Sequence, residues 1–249
     1  MEEKHIVDLE IPSYLVDFKK QLRPSCFMSL AQEMAMKAAD VLEFGYDQLA
    51  EHDLAWVLSR TKLVFEKVPK WQQQVQFATW HKGISGLYFI RDYQLRDKSS
   101  GEILVNGTSS WITINTKSRS LFRTTELAQF FNTEAQSSDF ALKEEAGKIL
   151  VPKESELVCT HKVTYSDLDF IGHANNTSYV NWVMDCIPAD LLRDSYPKVL
   201  EINFSKETKA GEEVQIFRHI EETEDKSVIS FDGKVDGRTN FTARFTYEK

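Results

Sequence analysis

A chain of 249 residues with 42% hydrophobic and 12% aromatic side chains can bury a substantial core, as one large domain or two of ordinary size, and disorder is not its default. Its formal charge of −8 argues against wholesale electrostatic attraction to nucleic acid or anionic lipid and leaves only local basic patches for an acidic partner. No segment is apolar over the length that spans a bilayer, and residues 1–10 mix charges where a signal peptide would be continuously apolar, so a cytoplasmic location is the expectation.

In chain order, an alternating segment around Tyr14, Val16 and Phe18 reads as a first strand. Pro24 and Ser25 then introduce a helix carrying Phe27, Leu30, Met34, Ala38 and Val41, with Gly45 as its stop. Four stretches of strand character follow. Residues 54–66 are rich in β-branched and aromatic side chains. Val75, Phe77 and Thr79 alternate, as do Leu87, Phe89, Arg91, Tyr93 and Leu95, and 103–115 follows the turn at Ser99, Ser100 and Gly101.

Residues 118–157 are polar and charged, with a short helix expected at 125–131 and a linker by composition after it. The second half then repeats the first: a strand at 159–165, a helix at 176–187 closed by Pro188, and strands at 199–204, 214–220, 228–235 and 241–247. A repeat this long points to duplication of a whole domain. One long helix wrapped by a curved antiparallel sheet is the hotdog arrangement, so the expected fold is α+β, a tandem hotdog whose two sheets pair internally. Its units are placed at 1–130 and 158–249, joined by a linker at 131–157. Such a pair is complete as a monomer or dimerises again, and both stay open.

The chemistry concentrates in residues 165–182. Asp167 and Asp169 precede Gly172, His173, Asn175 and Asn176, and then Tyr179, Val180, Trp182, Val183, Cys186 and Ile187 mark one buried helical face. Asn175 or Asn176 caps that helix by accepting a hydrogen bond from a free first-turn amide. Amides near Ala174, Asn175 and Asn176, with the positive end of the helix dipole, would then stand beside an acid and an imidazole, a place to polarise a carbonyl. The three cysteines, Cys26, Cys159 and Cys186, leave one unpaired under any single-chain disulfide scheme and show no metal-ligand spacing, which fits a reduced protein.

Asp169, Gly172, His173, Asn175, Asn176 and Tyr179 resemble the signature of the acyl-acyl carrier protein thioesterases, the plant and bacterial family that releases fatty acids from carrier protein. Asp169 also matches the wider hotdog thioesterases, including the 4-hydroxybenzoyl-CoA type. In the first half, Trp56 to Arg60, Pro69 and Trp71, Thr79 and Trp80, Arg91 and Asp92, Gly101 and Glu102, then Ser110, Trp111 and Asn115 resemble successive landmarks of the family's N-terminal unit. The resemblance covers nearly the whole chain. It implies a catalytic set of Asp169, His173 and Glu207, with Glu207 following the strand at 200–206. The family's Asn, two residues after the Asp, is Ile171 here, and Thr208 stands where plant members have a Cys, so a thiol mechanism has no nucleophile at that position.

The resemblance implies thioester hydrolysis with no cofactor and no metal. Asp169 activates water or attacks directly to give an anhydride, His173 orients substrate or protonates the leaving thiolate, and Glu207 is the second acid. The acyl chain is expected between the first helix and its sheet, against Phe27, Met34, Leu58 and Phe77. The implied partner is acyl carrier protein, which Lys117, Arg119 and Arg123 could meet. Hydrolysis of acyl-CoA, a non-catalytic acyl-binding hotdog and a hotdog dehydratase are the competing readings.

Overall fold

The computed structural model describes residues 4–127 and 137–249. The first half comprises β1 (His5–Glu10), α1 (Pro24–Val41), α2 (Tyr46–Ala50), β2 (Leu54–Phe65), β3 (Gln74–Ser85), β4 (Tyr88–Asp97), β5 (Ile103–Asn115), the two-residue β6 (Leu121–Phe122) and α3 (Thr124–Leu127). The second half comprises β7 (Glu156–Lys162), α4 (Asn176–Met184), α5 (Ala189–Asp194), β8 (Val199–Phe204), β9 (Glu213–Glu222), β10 (Lys226–Val235) and β11 (Arg238–Glu248). Eleven strands form one antiparallel sheet in the order β1-β3-β4-β5-β2-β8-β11-β10-β9-β7, with β6 beside β5. The halves join where β2 meets β8, from Arg60 opposite Asn203 to Val64 opposite Val199. This is the tandem hotdog.

Several expectations need correction. The alternating segment at Tyr14, Val16 and Phe18 is not a strand: Ser13–Leu15 is a 3-10 turn, Tyr14 and Phe18 lie exposed on a loop, and β1 forms earlier, where it pairs with β3. Alternation over so few residues reports a strand only if a neighbouring edge is free to pair with it. Gly45 does not stop α1, which ends at Val41; it is the N-cap of α2, where its amide bonds the Gln48 side chain. The second long helix ends at Met184, and Pro188 caps a separate α5. Of the helix expected at 125–131, Thr124–Leu127 forms α3 and the remainder lies outside the described residues.

Both long helices lie on one face of the sheet and share one core. Phe27, Met34 and Ala35 of α1 and Val180, Trp182 and Val183 of α4 bury against Leu63, Phe77, Leu200, Ile202, Phe231 and Phe245. The helices touch each other through the Asn176 amide group, which donates to Gln32 at 3.3 Å.

The segment after residue 136 is anchored on the opposite face of the sheet. The Trp80 indole donates to the Asp139 carbonyl at 2.8 Å, the Ala141 amide donates to the buried Asp92 carboxylate at 2.8 Å, and the Asn203 side chain bridges Gly147 and Ile149. Burial pushes the pKa of Asp92 up, with Lys82 3.8 Å away as partial compensation. A stretch that is polar by composition is thus fastened because the sheet's outer face offers it buried polar partners.

Candidate active site

Asn175 is the N-cap of α4, its side-chain oxygen accepting from the Thr177 amide at 3.0 Å. The loop before it is stapled by Asp169. One carboxylate oxygen, Oδ1, accepts the amides of Ile171 at 3.0 Å and His173 at 3.1 Å, while the Asp169 amide donates to the His173 carbonyl at 2.8 Å. Gly172 sits at φ 84°, a left-handed conformation that lets the loop reverse within these few residues. Ile171 therefore serves the staple through its backbone amide, whatever its side chain.

The neighbouring aspartate has another task. Asp167 is buried and accepts from the Trp182 indole at 2.9 Å and the Thr164 amide at 2.8 Å, with His161 Nε2 at 3.0 Å. Burial works to raise its pKa, but the Thr164 amide, His161 and Trp182 together outweigh it and hold the carboxyl below its ordinary value. Asp167 pins α4 to β7, and Asp169 faces the cavity.

His173 and Glu207 come together: Nε2 and Oε2 are 3.5 Å apart. Glu207 is half-buried rather than solvated. Arg119, reaching across from the loop after β5 at φ 58°, hydrogen-bonds the same Oε2, and Asn240 donates to the Glu207 carbonyl and to the Thr208 hydroxyl. Tyr179 lies beside Thr208, and burial, with the Asp169 and Glu207 charges nearby, pushes its phenol up to about 12. Arg119 and Asn240 escaped sequence reasoning as site residues because both contacts cross distant parts of the chain. Lys117 is paired with Asp53, and Arg119 with Glu207, so two of the three cations expected to meet a carrier protein have internal partners.

Asp169, His173, Asn176, Tyr179 and Glu207 all line one cavity of about 730 Å³. It continues into the first half along Ala35, Met36, Ala39 and Leu42 of α1, then past Trp56, Leu58, Phe89 and Trp111 to His81 and Arg91. Alanines at helical spacing opposite the sheet leave the space that larger side chains would fill. The expected lining is corrected accordingly: Leu58 lines the cavity, whereas Phe27, Met34 and Phe77 are core, Phe27 stacking on Phe77 at 5.3 Å. Two of the expected oxyanion donors are also committed elsewhere, the Ala174 amide to the Thr208 carbonyl at 2.8 Å and the Asn175 amide to the Asp167 carbonyl at 2.7 Å. Asn176, the first helical residue, has no intrahelical acceptor for its amide.

Comparison with known proteins identifies the family. A family model described as the acyl-ACP thioesterase N-terminal domain matches residues 2–129, and one described as the acyl-ACP thioesterase C-terminal domain matches residues 151–249. The chain belongs to the acyl-ACP thioesterase family. Among curated relatives of this family, a chloroplastic palmitoyl-acyl carrier protein thioesterase of Gossypium hirsutum is 25% identical over 237 residues, covering 90% of this chain and 56% of that protein. A chloroplastic oleoyl-acyl carrier protein thioesterase of Arabidopsis thaliana is 28% identical over 223 residues, covering 83% and 59%. The chain thus spans somewhat more than half the length of these relatives. The fold is shared with the 12:0-ACP thioesterase from Umbellularia californica, at TM-score 0.87 and 22% identity over 99% of this chain and 98% of that one. It is shared also with an acyl-ACP thioesterase from Bacteroides thetaiotaomicron, at TM-score 0.84 and 22% identity over 98% of each. Among the described residues no helix is long and apolar enough to cross a membrane.

Proposed function

We propose that this protein hydrolyses fatty acyl thioesters carried on acyl carrier protein and releases the free fatty acid. The observation that carries the reading is the meeting of Asp169, His173 and Glu207 at the tip of α4, on the wall of a long, mostly apolar cavity. A thioester carbonyl has a good leaving group, so the site needs only a placed water, a base and a donor for the developing oxyanion.

Oδ1 of Asp169 is held by two loop amides, which leaves Oδ2 to take a proton as the water oxygen bonds to the carbonyl carbon. The carbonyl π electrons move onto oxygen, where the Asn176 amide and the positive end of the α4 dipole stabilise them. Collapse of the tetrahedral intermediate expels the thiolate, which takes its proton from His173, and Glu207 orients the imidazole for that transfer. Arg119 and Asn240 hold Glu207 in place. The acyl chain runs along the α1 alanines, where each buried methylene contributes about 0.8 kcal/mol, so neighbouring chain lengths differ about fourfold in binding.

The test is mass-spectrometric detection of free fatty acid from carrier-bound and CoA-bound thioesters of matched acyl length. Release from the carrier-bound series is the expected result. Release only from CoA reassigns the donor, and tight binding without release from either refutes hydrolysis.

A further inference from the structure

The loop that carries Asp169 exists twice. In the first half, Asp17 Oδ1 accepts the amides of Lys19 at 2.8 Å and Gln21 at 2.9 Å, the same two-residue and four-residue reach that Asp169 makes. The Asp17 amide donates to the Gln21 carbonyl at 2.8 Å, as Asp169 does to His173. Lys20 takes the left-handed φ of 61° where the second loop has Gly172. The Leu22 amide donates to the Pro69 carbonyl at 2.9 Å, as Ala174 does to Thr208. Bridges join Gln21 to Lys70 in the first half and His173 to Lys209 in the second. Matched bond for bond, His173 corresponds to Gln21 and Glu207 to Val68, so the first loop keeps the aspartate and lacks both the imidazole and the second acid.

The open cavity lies where the Asp169 loop faces β2 of the other half. At the same register, the residues of the second half that correspond to the start of β2 are not strand: they lie between α5 and β8 and fold over the Asp17 loop. The Tyr196 hydroxyl donates to the Leu22 carbonyl at 2.5 Å, its ring meets Phe65 edge-on at 5.1 Å, and Lys19 Nζ donates to the Ser195 carbonyl at 2.6 Å. Leu22 is the counterpart of Ala174, which lines the open cavity. The ring of Tyr196 therefore stands, at the tip of α1, where the open site has room beside the tip of α4.

We infer that the tip of α1 holds a second apolar-chain site, a counterpart of the cavity at α4, which the Tyr196 side chain fills and keeps shut. Its ligand class, an acyl chain, rests on the function proposed above; the existence of the slot does not. Removing the ring exposes a void against the buried side chains of Leu22 and Phe65, with the Leu22 carbonyl freed at its edge, whose apolar walls admit an apolar probe. The reopened slot binds without hydrolysing, since it has no counterpart of His173 or Glu207.

Crystals of the wild type, Tyr196→Ala and Tyr196→Phe under xenon pressure test the slot itself. A xenon site beside Leu22 and Phe65 is expected in Tyr196→Ala and absent in the other two. A folded Tyr196→Ala without that site overturns the inference, and Tyr196→Val supplies the same reading if the alanine variant does not fold. Titration with sodium dodecanoate tests the ligand class: stoichiometry should rise from one in the wild type to two in the variant. A stoichiometry that stays at one refutes the acyl assignment of the second slot. Failure of the wild type to bind at all counts instead against the proposed function, while the xenon result still decides the slot.

Discussion

Asp169→Asn separates the structural role of one carboxylate, seen in its loop hydrogen bonds, from the catalytic role proposed for it. The variant keeps an oxygen where Oδ1 accepts the Ile171 and His173 amides, so the staple persists with neutral in place of charge-assisted hydrogen bonds. That exchange costs about 1 kcal/mol, a fall in Tm of roughly 2–4 °C for a chain of this size. The proposed chemistry loses its base altogether. Removing a general base costs about a hundredfold to ten-thousandfold in rate, or roughly 2.7–5.5 kcal/mol of transition-state stabilisation. Release of free fatty acid from an acyl-carrier substrate, followed together with thermal unfolding of the same preparation, reads both numbers. Asp17→Asn is the internal control, because it alters an identical staple beside a filled slot. It should lose the same small stability and keep its turnover. Wild-type turnover in Asp169→Asn, or equal losses of turnover in the two variants, would refute the assignment of Asp169 as the base.

Asp167→Ala should behave oppositely, lowering stability by about 2–4 kcal/mol because the Trp182 indole is left buried without an acceptor and the part-buried Thr164 amide loses its own; chemical denaturation checks it, and a stability loss no larger than that of Asp169→Asn would count against it. Arg119→Ala should lower kcat about fivefold, since a half-exposed ion pair contributes about 1 kcal/mol, with Arg119→Lys restoring part of it and KM little changed. An unchanged kcat would show that Glu207 needs no anchor. The pKa of His81 is lowered to about 4 from an ordinary 6.5, chiefly by burial and then by Arg91. The unfolded chain therefore binds a proton at His81 that the folded chain refuses, and stability should fall as the pH drops from 6.5 towards 4. Denaturation midpoints across that window should slope less in His81→Gln, and an identical slope would remove His81 from the effect.

Much of this architecture is legible along the chain, because strand alternation and helical spacing are local consequences of one buried face. Strands β5 and β8 fall at 103–115 and 199–204 as read from the pattern, and the motif around Asp169 announces a capped helix start. The misread elements are those whose local pattern a neighbour overrides. Tyr14, Val16 and Phe18 alternate, but the Asp17 staple bends them into a loop. Gly45 looks like a helix end and begins the next helix. Phe27, Met34 and Phe77 have the size of pocket residues and are core, while the void forms along small alanines that composition gives no reason to notice.

By itself the sequence determined the duplicated order of a long helix followed by antiparallel strands, the family, and the candidates Asp169, His173 and Glu207, because each rests on spacing within a short stretch or on a motif. Tertiary structure alone decided which aspartate faces the cavity and which braces Trp182, which amides at the helix start remain unengaged, and that Arg119 and Asn240 hold Glu207. It also decided that one of two matching loops stays open while Tyr196 closes the other. These contacts join residues far apart in the chain, and which partner a buried polar group finds is settled only when the halves close against each other and water is excluded.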